Sequence, residues 1–260
     1  MALSRSRLKL YRSLHHSKGR SESGLFLVEG PELIKEALRE GWLLKEAILT
    51  FALHRDSKIG GELIRLLELV DVPYDLCSQS EMERISEAKT PQGIVAIAQL
   101  PESSAERESA TLSEVLLICE CVSDPGNLGT LLRTADWFGL REVILGEGSA
   151  DPFSPKVVRA SAGSIFRVRT STPPNLSEWL KRETDQGRKF FAAHVNGELL
   201  PKDLPAKGLR GLVVGHEKRG VSKQIADLCQ ATVRIEGSGR AESLNLAVAA
   251  GILLHALVKQ

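Results

Sequence analysis

Val115-Leu-Leu-Ile-Cys-Glu-Cys-Val122 is a nearly continuous apolar run, the pattern of a strand buried on both faces of a parallel sheet. Downstream of it, residues 143–145, 190–193, 212–214 and 233–235 read as further short strands. Helical segments fall near 128–138, 177–184, 223–228 and 243–258. Strands alternating with helices predict an α/β domain whose parallel sheet is covered on both sides. Upstream the alternation is weaker but present. Phe26-Leu-Val-Glu29 is strand-like, Gly30-Pro31 opens a helix to about Arg39, and residues 45–50, 72–77 and 94–98 are short strands around a helix at 58–70. Between the two halves lies Pro101-Glu-Ser-Ser-Ala-Glu-Arg-Glu-Ser-Ala110, polar and without apolar periodicity, which reads as a linker. The expected organisation is a smaller α/β domain over 1–100, a linker over 101–110 and a larger α/β domain over 111–260.

Composition limits what such a chain can do. With 42% hydrophobic and 26% charged residues in 260, it can bury a sizeable core. Lys plus Arg number 34 against 33 Asp plus Glu, so a nucleic-acid partner has to be argued from the placement of charge and not from its sum. The first twenty residues carry Arg5, Arg7, Lys9, Arg12, Lys18 and Arg20 and no acid. A transit peptide is one reading of that stretch; a secretory signal is excluded because no apolar core follows the charges. Cys77, Cys119, Cys121 and Cys229 form no CxxC pair and read as reduced thiols, which points to the cytoplasm. The six histidines form no metal-ligand spacing, so no metal is expected. The apolar stretch Leu246 to Val258 is shorter than the ~20 residues of a membrane span, so no membrane association is expected.

Three loops follow apolar strands, where open α/β sheets collect their ligands. The first is Ser123-Asp-Pro-Gly-Asn-Leu-Gly-Thr-Leu-Leu-Arg-Thr-Ala135, in which Asn127 is placed to cap a helix that carries Arg133. The second is Leu212-Val-Val-Gly-His-Glu-Lys-Arg-Gly-Val-Ser222; Gly215 admits close backbone approach and Glu217 sets a carboxylate at the strand end. The third is Ala231-Thr-Val-Arg-Ile-Glu-Gly-Ser-Gly-Arg-Ala-Glu-Ser-Leu-Asn-Leu-Ala247. Its Gly237-x-Gly239 is not a dinucleotide fingerprint, because Glu242 holds the third glycine position and no later strand supplies the ribose-binding acid. His216-Glu217 lacks the second histidine of a zinc protease, and the P-loop and nucleophile-elbow signatures are absent.

Taken in order, Asp124–Arg133 with Gly139, Val214–Gly220 and Ser243–Ala249 resemble the three signature motifs of the SpoU (TrmH-like) branch of the SPOUT RNA methyltransferases. Leu14-His-His-Ser-Lys-Gly-Arg20 and Gly24-Leu-Phe-Leu-Val-Glu-Gly30 are similar to the start of that family's small L30e-like substrate-binding domain. The resemblance implies a trefoil-knotted catalytic domain, S-adenosylmethionine as methyl donor, a ribose 2′-hydroxyl as acceptor and a homodimer with the active site near the subunit interface. It implies that Gly215, Ile235 and Leu244 hold the donor and that Arg133 is the catalytic arginine. Asn127, Glu217, Ser243 and Asn245 would position the hydroxyl, Arg133 and the donor. It also assigns the basic N-terminus to RNA binding by Arg5, Arg7, Lys9, Arg12, Lys18 and Arg20. The preferred substrate is large-subunit (23S) ribosomal RNA; the alternatives are transfer RNA, or an RNA-binding protein that kept the fold without the reaction. One departure stands out: after Ile235 the family commonly has Pro and a large apolar residue, where this chain has Glu236 and Gly237. Finally, Leu244, Leu246, Val248, Ala249, Ile252, Leu253, Ala256 and Leu257 make the last helix apolar on more than the ~100° that one core requires, which predicts a second covering surface.

Overall fold

The structure is a computed structural model describing residues 3–101, 113–205 and 207–258. Past Pro101, the expected linker lies outside the described residues. In chain order the elements are α1 (Arg5–Ser13), α2 (Ser17–Ser23), β1 (Leu25–Glu29), α3 (Pro31–Arg39), β2 (Leu44–Thr50), α4 (Phe51–Arg55), α5 (Ile59–Leu69), β3 (Tyr74–Cys77), α6 (Gln79–Ile85) and β4 (Ile94–Gln99). They continue with β5 (Val115–Cys119), α7 (Pro125–Trp137), β6 (Glu142–Leu145), α8 (Pro155–Ala160), β7 (Arg169–Ser171), α9 (Leu176–Asp185), β8 (Lys189–Ala193), β9 (Arg210–Val214), α10 (Lys223–Ala226), β10 (Ala231–Val233) and α11 (Leu246–Val258). The chain divides into two compact units, Met1–Ser103 with Phe153–Phe166, and Ser104–Pro152 with Arg167–Gln260. Residues 153–166, placed by the sequence reading within 111–260, thus pack with the N-terminal unit.

The N-terminal unit is built on a four-stranded mixed sheet ordered β1-β4-β2-β3. On one face, Leu8, Tyr11 and Leu14 of the N-terminal helical stretch pack with Met82 and Ile85 of α6 over Leu27, Ile48, Val95 and Ile97. The donated segment brings Phe153 and Phe166 to Phe26 and Trp42, with ring centroids 5.0 Å apart for Phe26–Phe153 and 5.3 Å for Trp42–Phe166. The Trp42 indole N–H donates to the Phe166 carbonyl at 2.9 Å, satisfying the one polar group of the ring.

The C-terminal unit has a six-stranded, all-parallel sheet ordered β10-β8-β9-β5-β6-β7. All five residues of β5 are buried, as the opening apolar run predicts. Leu116 and Ile118 point to the side covered by α9 and α10, with Phe190, Val213 and Ile225. On β9 and β8 the other side is covered by α11, which also packs along α7. The register Cys119↔Val214 ends β5 and β9 at one level, so the first two candidate loops start side by side. β10 lies at the sheet edge, yet α11 packs on α7 and β9. Residues 234–245 therefore carry the chain back from the sheet edge to the first loop, where Asn245 meets Asn127.

Candidate active site

The first loop is shaped by its cap. Asp124, not Asn127, is the N-cap of α7: its Oδ1 accepts from the Asn127 N–H at 2.8 Å, and Pro125 occupies the first helical position. This corrects the capping role expected for Asn127, whose side chain is released for other work. Its Nδ2 donates to Glu217 at 3.1 Å, and its Oδ1 accepts from the Asn245 Nδ2 at 3.2 Å. Asn245 in turn caps α11, its Oδ1 accepting from the N–H groups of Ala247 at 2.9 Å and Val248 at 3.3 Å. α11 starts at Leu246, so Ser243 to Asn245 lie before the helix that was expected to include them.

These bonds form one directed chain from the α11 N-terminus through Asn245 and Asn127 to Glu217. It joins residues 90 and 118 positions apart, one from each candidate loop. Each amide must present oxygen to one side and nitrogen to the other, so a flip would break two bonds at Asn127 and three at Asn245. Glu217 ends the chain as a pure acceptor, also taking the Asp124 N–H at 3.1 Å. Partial burial pushes its carboxyl up, but the bonds from its own N–H, from Asn127 and from Asp124, with nearby His216, outweigh that and hold it below the usual carboxylate range. An anion so held is a weak base; Glu217 is a positioning residue. The nearby Cys119 thiol is pushed up to about 12 by burial and is no nucleophile at neutral pH.

The second loop closes on itself. His216 and Gly220 exchange backbone hydrogen bonds of 3.1 and 2.8 Å, and a Cβ on Gly215 would lie 2.1 Å from the Gly220 oxygen. Gly215 is thus required by the loop's own backbone, before any ligand arrives. Gly215→Ala is expected to open the 216–220 turn, cost about 2 kcal/mol or more and abolish donor binding. Thermal unfolding and calorimetric titration with S-adenosylmethionine check it, and an unchanged dissociation constant would refute it.

Among the described residues, no main-chain hydrogen bond is made by Gly215, Ile235 or Leu244. These unspent donors and acceptors sit after β9, after β10 and before α11, and suit a ligand recognised through backbone groups. Glu236 is exposed and lies 3.7 Å from Arg234, so the departure from the family pattern sets a charged pair where an apolar contact was implied. Ser243 and Arg133 are exposed and engage no described partner. Arg133 stands apart from the Glu217–Asn127–Asn245 chain: on α7 it shares an outward stripe with Thr130 and Trp137. No group of three or more His, Cys, Asp or Glu among the described residues is placed to hold a metal.

The SpoU rRNA Methylase family matches residues 114–255, and 33% identity to the 23S rRNA (guanosine(2553)-2′-O)-methyltransferase RlmP of Bacillus subtilis extends over 96% of this chain and 95% of that one. The chain belongs to the SpoU rRNA methylase family. An MRM3-like substrate binding domain matches residues 5–96. The SpoU methyltransferase AviRb from Streptomyces viridochromogenes, solved in complex with AdoMet, superposes with a TM-score of 0.87 at 26% identity over 98% of both chains. An AdoMet-bound rRNA methyltransferase from Sinorhizobium meliloti superposes with a TM-score of 0.84 at 28% identity, over 99% of this chain and 95% of that one.

The basic N-terminus divides by where each side chain points. Arg5, Lys9 and Arg12 are exposed on α1 and Lys18 on α2, the last 3.7 Å from Glu22. Arg7 is spent on ion pairs with Glu46 and Asp75, and Arg20 is 3% exposed and donates to the Leu14 carbonyl at 2.7 Å. Both are corrections to the expected RNA-facing set, because charges paired or buried in this way serve to dock the helices. Tyr11 completes the Arg7 anchor, donating to Glu46 at 2.6 Å; burial and that bond push its hydroxyl up, so it stays a donor.

Proposed function

We propose that this protein transfers the methyl group of S-adenosylmethionine to a ribose 2′-hydroxyl of large-subunit ribosomal RNA. The observation that carries the reading is the Glu217–Asn127–Asn245 chain, which locks the three family loops into one rigid edge. The donor is an activated sulfonium and supplies the electrophile. The protein's part is to bring in the hydroxyl and stabilise charge as its oxygen attacks the methyl carbon, the sulfur leaves with the bonding pair and the proton passes to solvent. Gly215, Ile235 and Leu244 offer backbone groups to the donor. Asn127, Ser243 and Asn245 orient the acceptor side, and Glu217 holds Asn127. Arg133 clamps the developing oxyanion and the adjacent phosphate; a guanidinium keeps its charge and is a poor proton acceptor. The third loop, returning from the sheet edge to the first, would form the trefoil knot of the family.

The test is incubation of the purified protein with methyl-labelled S-adenosylmethionine and unmodified 23S rRNA, with 2′-O-methyl positions mapped by nuclease-resistant linkages. One protected ribose is expected. Label on a base, or on transfer RNA alone, would overturn the reading.

The active unit is a homodimer. Trp137 on α7, Leu244 just ahead of α11, and Val248 and Ile252 on α11 are 84%, 48%, 52% and 40% exposed, while Ala250, Leu253, Leu254 and Leu257 fill the other side of α11. An apolar face of this kind needs a cover, and a second copy places Arg133, on the same face of α7, at the subunit interface. Val248→Glu/Ile252→Glu is expected to give a folded monomer with little activity. Light scattering checks the mass and circular dichroism the fold; a dimer of unchanged mass would refute it. No helix among the described residues is long and apolar enough to cross a membrane, and the cytoplasm is the compartment proposed.

A further inference from the structure

A second charged feature lies in the N-terminal unit, where a groove of about 670 Å³ is lined by Arg5, Leu8, Lys9, Arg12, Ser13, His16 and Arg84. Arg5, Lys9 and Arg12 follow the i, i+4, i+7 spacing that puts them on one stripe of α1, about 10 Å long. Arg84 comes from α6, and His16 is the residue before α2. Leu8, Met82 and Ile85 turn inward and lock α1 and α6 together in the core, so the cations stand on a fixed frame. The Arg7 anchor to Glu46 and Asp75 sets the rotation of α1 that turns the stripe outward.

Four formal positive charges line this groove and no carboxylate does, in a chain whose net charge is +1. The acids of α6 are engaged elsewhere: Glu81 is committed to Ser78 in a capping box, and Glu83 accepts from Gln79. Among the described residues the side chains of Arg5, Lys9, Arg12 and Arg84 have no hydrogen-bond or ion-pair partner. Unpaired guanidinium and ammonium groups in a row match a row of phosphodiesters. No Phe, Tyr or Trp lines the groove and His16 is its one ring, too little for a platform on which successive bases stack, so the groove is suited to backbone and not to sequence.

We infer that the groove between α1 and α6 is a phosphate clamp, in which Lys9, Arg12 and Arg84, with Arg5 and His16 at its ends, grip the sugar–phosphate backbone of the substrate RNA independently of its sequence. The inference rests on the proposed RNA methyl transfer, and it assigns Arg84 and His16, outside the basic N-terminal run, to substrate binding. The clamp supplies affinity and register, and the choice of nucleotide is made elsewhere.

The experiment compares the full-length protein with Lys9→Ala/Arg84→Ala, and with a charge-matched control, Lys45→Ala/Lys58→Ala, whose residues are exposed outside the groove. The probe is in-vitro-transcribed 23S rRNA. Loss of two phosphate contacts is expected to raise Kd and KM about tenfold at ~0.1 M salt and to flatten the log Kd against log salt slope by about two. kcat at saturating RNA and the affinity for S-adenosylmethionine stay within twofold, and the control matches wild type. Equal Kd and slope for both double variants would overturn the clamp. If wild type binds 23S rRNA with the expected slope but methylates nothing, the proposed reaction fails and the clamp stands. Circular dichroism confirms folding, and Arg12→Gln, a neutral change on the same stripe, is expected to flatten the slope by about one.

Discussion

Arg133→Ala is expected to lower kcat for methyl transfer by about 10²–10³-fold, the usual cost of removing one preorganised donor to a developing oxyanion. S-adenosylmethionine affinity should be nearly unchanged, because Arg133 lies outside the hydrogen-bond chain that joins the three loops. The side chain is exposed and engages no described partner, so its removal leaves no unsatisfied group and no cavity. Single-turnover kinetics at saturating donor and RNA isolate the chemical step, and calorimetry gives the donor affinity. Arg133→Lys separates charge from geometry: if a point charge suffices it recovers most of the rate, and if two parallel N–H groups are needed it recovers little. Substantial turnover by the alanine variant would assign the chemistry to another residue.

Asn127→Asp is expected to be nearly as damaging, for a different reason. It keeps the shape but sets a carboxylate against Glu217, where the amide Nδ2 now donates at 3.1 Å. One bond to a charged group becomes a repulsion, costing about 1–3 kcal/mol, and the second and third loops lose their common tether. Activity should fall by roughly 5- to 150-fold (about 1.4 kcal/mol per decade). Two carboxylates sharing one site cannot both ionise easily, so one of them titrates upward. The variant should therefore regain thermal stability relative to wild type as the pH is lowered from 7 toward 5. In wild type the sign is opposite: Glu217 titrates below the usual carboxylate range when folded, so its stabilisation is present at neutral pH and lost only as the pH falls through that depressed value. Asn127→Asp/Glu217→Gln restores a donor–acceptor pair with the partners exchanged, and partial recovery would tie the defect to this contact. Unfolding curves from pH 8 down to about pH 3 check both signs, the variant's gain in the upper part of that range and the wild-type loss in the lower part.

Much of the fold was legible because burial writes itself into composition. The run at 115–122 needed no partner to announce a strand covered on both faces, and β5 proves buried at every position. The three loops were legible as a set, because their residues fall at the ends of such strands. What escaped depends on partners distant in sequence. Arg7 and Arg20 look like their basic neighbours until Glu46, Asp75 and the Leu14 carbonyl are placed beside them. Asn127 seemed a cap because caps are local; Asp124 takes that role, and the true partners of Asn127 stand 90 and 118 residues away. β7, three residues containing an arginine and a serine, carries no apolar signal. Arg84 lies on α6, a seven-residue helix absent from the periodicity reading, whose signal was the capping box from Ser78 to Glu81.

The loan of Phe153–Phe166 to the N-terminal unit bears on how the chain comes off the ribosome. Trp42 and Phe26 are synthesised more than a hundred residues before the rings that cover them. At the usual 5–20 residues per second, that leaves an interval of roughly 5–25 s in which the first unit is unfinished. Throughout that interval an aromatic surface stands open on a nascent chain whose first helices are already basic, beside a great excess of ribosomal RNA. Vectorial synthesis thus makes the two units interdependent in time: the first matures only when part of the second has emerged, and no single cut yields two complete pieces. An amino-terminal fragment ending before residue 153 inherits the sheet without its aromatic lid, and its failure to fold would say nothing about the intact protein.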